Sequence, residues 1–171
     1  MPHRLFHVEL PIHPGWEAID PMRVSVLACA NAIFSNGALA TSIGVVTAEL
    51  LENALKFGRW EAARPAQFRL RIDGHDDRVE IEVSNPVAPG EENVERLMAE
   101  LARIARSPSP EEAYTKRVRG VVLGKPSSGL GLARAAHEGG CDLSAEVSGN
   151  MLHVRAVTRR LAPPRPTPAP A

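Results

Sequence analysis

Residues 49–58 read Glu49-Leu50-Leu51-Glu52-Asn53-Ala54-Leu55-Lys56-Phe57-Gly58, and the rest of the chain arranges itself around them. Wound as a helix at about 100° per residue, Val46, Leu50, Ala54 and Phe57 share a core-facing arc with Ile43. Glu49, Asn53 and Lys56 fall on a narrow stripe at the edge of that arc, where they would line a crevice beside the core. A carboxylate one turn before a carboxamide offers two oxygen donors, a set suited to a hydrated Mg²⁺ that also binds phosphate. The carboxylate also stands where it would polarise an attacking hydroxyl or water. Read alone, the same pattern more often marks a solvated helix edge.

Outward from this helix, which should run from about Ala38 to Phe57, the pattern is regular. Upstream, residues 4–12 alternate as a strand closed by Pro11, Pro14 and Gly15. Asp20-Pro21 then predicts a capped helix running to about Ser35, stopped by Asn36-Gly37. Downstream, Phe68, Leu70 and Ile72, then Val79, Ile81 and Val83, alternate with polar residues around Gly74-His75-Asp76-Asp77, a hairpin with one buried face. Val94, Leu97, Met98, Leu101 and Ile104 predict a helix over 91–106, broken by Ser107-Pro108-Ser109-Pro110. A weakly patterned stretch reaches Ser128, a helix spans about 129–137, and residues 142–147 and 151–157 form a closing hairpin. Residues 161–171 hold five prolines and are expected to be an extended, disordered tail. Together these elements predict a single domain over 1–160, a two-layer α/β (α+β) sandwich. Its helices lie on one face of a mixed, mainly antiparallel sheet.

Composition narrows the function. Hydrophobic residues make up 44 % of the 171, and 20 basic residues balance 20 acidic ones at a pI near 7.0. No basic excess points to nucleic acid or a membrane surface. The N-terminus lacks a signal-peptide pattern and no apolar run approaches the ~20 residues of a membrane span, so a soluble, cytoplasmic protein is expected. Cys29 and Cys141 sit in apolar contexts as free thiols, without metal-ligand spacing. The six histidines are scattered and no phospho-acceptor helix is apparent; His137 reads as a helix C-terminal residue.

A second element is Lys125-Pro126-Ser127-Ser128-Gly129-Leu130-Gly131-Leu132-Ala133-Arg134, a small-residue loop with two glycines opening into a helix. Backbone N–H groups and a positive helix end make such a turn an anion site. It is not a P-loop, because no Gly-Lys-Ser/Thr follows at the required spacing.

Glu49-x-x-x-Asn53-Ala54-x-Lys56-x-Gly58, followed some 70 residues later by Ser128-Gly129-Leu130-Gly131-Leu132, resembles the N box and G2 box of the GHKL (Bergerat-fold) ATPases over roughly residues 20–158. The resemblance implies ATP and Mg²⁺ as ligands. It implies Glu49 as general base, Asn53 as the metal ligand, and Lys56, Lys125, Ser128, Gly129, Leu130 and Gly131 as nucleotide-binding residues. In that family a strand-end Asp reads adenine; here Ser84-Asn85-Pro86 stands there, and Asn85 offers an uncharged acceptor oxygen. This variant looks like the small stand-alone anti-sigma-factor and SiaB-type serine/threonine kinases. A lid is implied over about 107–128, where Tyr114, Lys116, Arg117, Arg119 and Lys125 either reach phosphates on closure or form a solvated basic loop.

The implied function is a protein serine/threonine kinase acting on a STAS-type (anti-sigma-factor antagonist-like) partner, with a homodimer as a further expectation. A catalytically inactive module of the same fold, sequestering a regulatory partner, is the alternative favoured by the altered adenine box.

Overall fold

A computed structural model of the chain describes residues 4–34, 36–60, 67–88, 90–124, 126 and 129–159. The elements, in order, are β1 (Arg4–Pro11), α1 (Ile19–Phe34), α2 (Gly37–Phe57), β2 (Arg69–His75), β3 (Arg78–Pro86), α3 (Glu92–Ala105), α4 (Pro110–Val122), α5 (Leu130–Glu138), β4 (Cys141–Ser148) and β5 (Met151–Arg159). A 3-10 turn, Trp16–Ala18, leads into α1. The strands form one sheet in the order β1-β2-β3-β5-β4, and each of its four ladders is antiparallel. The two-layer sandwich is thus as expected, with no parallel pair among the described strands.

Register explains which face is buried. Val8, Ile72, Ile81, Ala156 and Leu143 are directly paired across all five strands. Ile72, Ile81 and Ala156 in this row are fully buried. Side chains alternate along a strand, so Asp73, Glu80 and Val157 pair on the opposite, outer face. The like charges of Asp73 and Glu80 are tolerated because each is clothed in cations. Asp73 meets Arg4, His7 and Arg71, and Glu80 meets Arg78 and Arg155.

Helix α2 packs on the inner face and is the centre of the core. Ile43, Val46, Leu50, Leu51 and Ala54 are buried in it, while Phe57 is half-buried. Asn36 starts the helix, its side-chain oxygen accepting from the Leu39 N–H at 3.1 Å, which satisfies one of the unpaired N–H groups of the first turn. At 21 residues and a mean hydropathy of 1.2 in its most apolar window, α2 is long and apolar enough to cross a membrane. That amends the reading that no run approaches the length of a span. The apolar residues here are those of a core helix, and 56 % of that window is buried within the fold.

Three expectations need correction. Asp20 is not a helix cap: α1 begins at Ile19, after the 3-10 turn, and Asp20 pairs with Arg23 at 2.6 Å inside the first turn. Gly74 and His75 belong to β2, leaving Asp76-Asp77 as the turn. The stretch after Ser107 is not weakly patterned, since residues 110–122 form α4. Ser109 caps that helix, accepting from the Glu112 N–H at 3.1 Å, and Pro110 occupies its first turn. The tail over 161–171 lies outside the described residues.

Candidate functional site

The candidate site forms where the first turn of α5 rests on α2. Gly129 begins this turn with φ of +81°, a backbone that L side chains rarely adopt. A Cβ on Gly129 would stand 2.5 Å from Cδ of Glu100, and one on Gly131 would stand 2.2 Å from Oε2 of Glu49. Both glycines therefore make room for carboxylates of other helices, at the positive end of α5. Two acidic groups of this chain, Glu49 and Glu100, thus stand against the start of α5.

Glu49 and Asn53 are each only 8 % exposed. Burial raises the Glu49 carboxyl above its ordinary value, an effect opposed by Arg134, whose Nη1 lies 3.0 Å from Oε1. Nδ2 of Asn53 donates to the Glu49 carbonyl at 2.8 Å, so the amide oxygen is not used in that bond. Asn53 lines a cavity of about 310 Å³ formed by residues of α2, α3, α4 and the start of α5. Apolar walls come from Phe57, Leu97 and Leu132, and cationic ones from Arg96, Arg103 and Arg117. Glu49 faces a second cleft of about 460 Å³ on the other side, between α1 and α2, beside Trp16, Asp20, Arg23, Glu52 and Arg134.

The sequence matches no family model and no curated protein. Its fold is similar to that of a chain in the crystal structure of the SiaB–SiaC complex from Pseudomonas aeruginosa. The TM-score is 0.63, with 16 % identity over 92 % of this chain and 91 % of that chain. At that identity the likeness is one of fold alone.

Of the residues singled out from sequence, the structure brings together Glu49, Asn53, Gly129 and Gly131, with Leu130 opening α5 between the two glycines. Lys56 is exposed and turned away, its Nζ 3.3 Å from Glu52 and 5.8 Å from the centre of the Trp16 ring. Asn85 lies on the core side of β3 with no exposed surface, donating to the Pro86 carbonyl at 3.3 Å while its oxygen has no hydrogen-bond partner among the described residues. It does not line the cavity beside Asn53. Ser84 faces the other side of the sheet, 2.8 Å from Nδ1 of His153. Lys125 and Ser128 lie outside the described residues. Of the expected lid cations, Arg117 lines the cavity, whereas Lys116 and Arg119 lie on the outer side of α4. Tyr114 stacks on His137 with ring centroids 5.3 Å apart.

Arg134 closes the second sequence element but was given no role there, and the α3 residues Arg96 and Arg103 were not anticipated. Arg96 and Arg103 had one legible signal: Asn93, Arg96, Glu100 and Arg103 recur at helical spacing beside the apolar stripe of α3.

Proposed function

We propose that the chain is an ATP-binding partner-switching regulator, a protein serine/threonine kinase of the anti-sigma-factor type acting on a STAS-type partner. The observation that carries this reading is the contact of Glu49 and Asn53 on α2 with the glycine turn of α5, next to an arginine-walled cavity.

The donor set fits Mg²⁺ only in company with a nucleotide. Among the described residues no cluster of three or more His, Cys, Asp or Glu is placed to hold a metal. One amide oxygen, from Asn53, suits a cation that keeps its waters and takes its remaining ligands from phosphates. Bound Mg·ATP supplies the transferable phosphoryl group, with its charge partly neutralised by the cation. The chain's own residues do the rest. Asn53 positions the cation, while Arg103 and Arg117 neutralise phosphate charge. Phe57, Leu97 and Leu132 give the inner cavity an apolar wall against which the nucleotide would pack. A serine or threonine hydroxyl entering by the α1–α2 cleft meets Glu49, which accepts its proton.

A non-catalytic binding module is the second reading. It draws on Arg134 holding Glu49 and on the full burial of Asn85. The neighbour of similar fold, from a structure of two proteins in complex, fits either reading.

Calorimetric titration of Mg·ATP into the wild type and Asn53→Ala separates these readings. Micromolar binding that needs Mg²⁺ and weakens about tenfold in the variant, some 1.4 kcal/mol, is expected. Absence of binding to both proteins would leave the non-catalytic module.

A further inference from the structure

Glu100 is an α3 residue whose carboxylate points into the fold rather than out of it; its side chain is only 13 % exposed. Arg103 holds both of its oxygens, with Nε to Oε2 at 3.0 Å and Nη2 to Oε1 at 2.5 Å. Arg117, from α4, brings Nε to 3.9 Å from Oε1. On the remaining side stands Gly129, so close that a Cβ there would overlap the carboxyl group. An ordinary i,i+3 pair lies on a solvated helix surface and is worth a few tenths of a kcal/mol. Here two guanidinium groups from different helices and the start of a third helix converge on one carboxylate, at the wall of the cavity that Asn53 lines. A guanidinium fork binds carboxylate and phosphate oxygens in the same bidentate way.

We propose that Glu100 is a resident stand-in for a nucleotide phosphate, occupying the anion position formed by Arg103, Arg117 and the Gly129 turn until an oligophosphate displaces it. The proposal rests on the ATP-binding reading above and adds to it the residue that sets affinity. An oligophosphate carries several charges where Glu100 carries one, so it wins the arginines once the carboxylate swings away about its side-chain torsions. Apparent affinity is then reduced by the fraction of molecules in which Glu100 holds the position. No covalent step is involved.

The test is titration of Mg·ATP, and separately of inorganic tripolyphosphate, into the full chain as wild type, Glu100→Gln, Arg103→Gln and the surface control Glu111→Gln. Gln keeps the shape of Glu100 and removes its charge. Glu100→Gln is expected to bind both probes about tenfold more tightly, a gain of roughly 1.4 kcal/mol. Glu111→Gln should stay within about twofold, because Glu111 is exposed, does not line the cavity, and its charge is screened by solvent and salt. Arg103→Gln should bind both probes at least about fivefold more weakly, an effect that a purely structural ion pair would not produce. Unchanged or weaker binding by Glu100→Gln, with the wild type binding normally, overturns the proposal and leaves the nucleotide reading intact. If Glu100→Gln does not fold, unchanged affinity in Arg103→Gln overturns it instead. No binding by either the wild type or Glu100→Gln removes the nucleotide reading and the proposal with it. Binding by Glu100→Gln alone supports both.

Discussion

Arg134 on α5 places Nη1 3.0 Å from Oε1 of Glu49 on α2, so the carboxylate proposed as a base is already held by a cation. The same guanidinium reaches Glu138 through Nε at 3.0 Å, and 45 % of the side chain is exposed. Screening limits what such a bridge contributes to stability, but its effect on Glu49 is direct. Burial raises the carboxyl above its ordinary value, and Arg134 pulls it back down. Replacing Arg134 with Gln therefore moves Glu49 further up. An NMR titration of the Glu49 side-chain carboxyl would show a higher midpoint in the variant. The rising limb of any phosphotransfer rate against pH would shift the same way, since the base works deprotonated.

Stability carries the same sign. A carboxyl raised in the fold contributes fully below its ordinary value, and that contribution is lost as pH rises through the raised one. Glu49→Gln, which removes the buried charge, should thus be more stable than wild type near pH 7 by about 0.5–1 kcal/mol. The advantage should vanish in acid. Thermal melts across pH measure it, and equal stability at all pH values would show the carboxylate to be fully compensated.

Gly131→Ala would drive a methyl group into Glu49, since a Cβ there stands 2.2 Å from Oε2. Glu49 has to move or α5 has to lift. The expected result is a loss of about 1–3 kcal/mol in stability. Mg·ATP affinity should fall with it, and Glu49→Ala in the same chain should restore part of the stability. Denaturant unfolding of the two variants and their combination checks the coupling.

On the outer face of the sheet, Asp73 is buried, which raises its carboxyl, but hydrogen bonds from His7 and Arg71 and the charge of Arg4 outweigh burial and hold it below its ordinary value. Glu80, bonded by Arg78 and Arg155, is lowered for the same reason. A lowered carboxyl contributes stability above its ordinary value, and the contribution is lost as pH falls through the lowered one. Asp73→Asn should cost about 1–3 kcal/mol near pH 7. The variant should lose less than wild type on acidification. Urea midpoints at neutral and acid pH give both quantities.

Ser109→Ala removes the acceptor for the Glu112 N–H at the start of α4. A cost of about 1 kcal/mol is expected, with backbone exchange quickening in α4 ahead of the central strands. Hydrogen exchange resolves the two regions.

Much of this architecture is legible in residue spacing. Ile43, Val46, Leu50 and Ala54 mark the inner side of α2 by period alone, and the strand pairs are marked by alternation. Ser107-Pro108-Ser109-Pro110 reads as a breaker, but its second half is also a helix start. The serine caps, the proline fits the first turn, and Glu112 completes the signal. Asp20-Pro21 misleads in the opposite direction, because the preceding 3-10 turn had already begun the winding. Glu49 and Asn53 were visible because they share one helix. The arginines around them come from α3, α4 and α5, and local spacing does not encode which helix face meets a distant cavity. Lys56 shared the stripe of Glu49 and Asn53 by angle, yet its long side chain leans back to Glu52 and Trp16.

Strand order has a kinetic side. The β2–β3 and β4–β5 hairpins close across Asp76-Asp77 and Gly149-Asn150, so each forms from neighbours in sequence. The central ladder instead joins Ile81 to Ala156, and α3, α4 and α5 all lie within that one connection. Loop-closure entropy is spent there before that pairing rewards it. The cavity beside Asn53 is therefore walled largely by helices of the one connection that the longest-range pairing in the sheet closes.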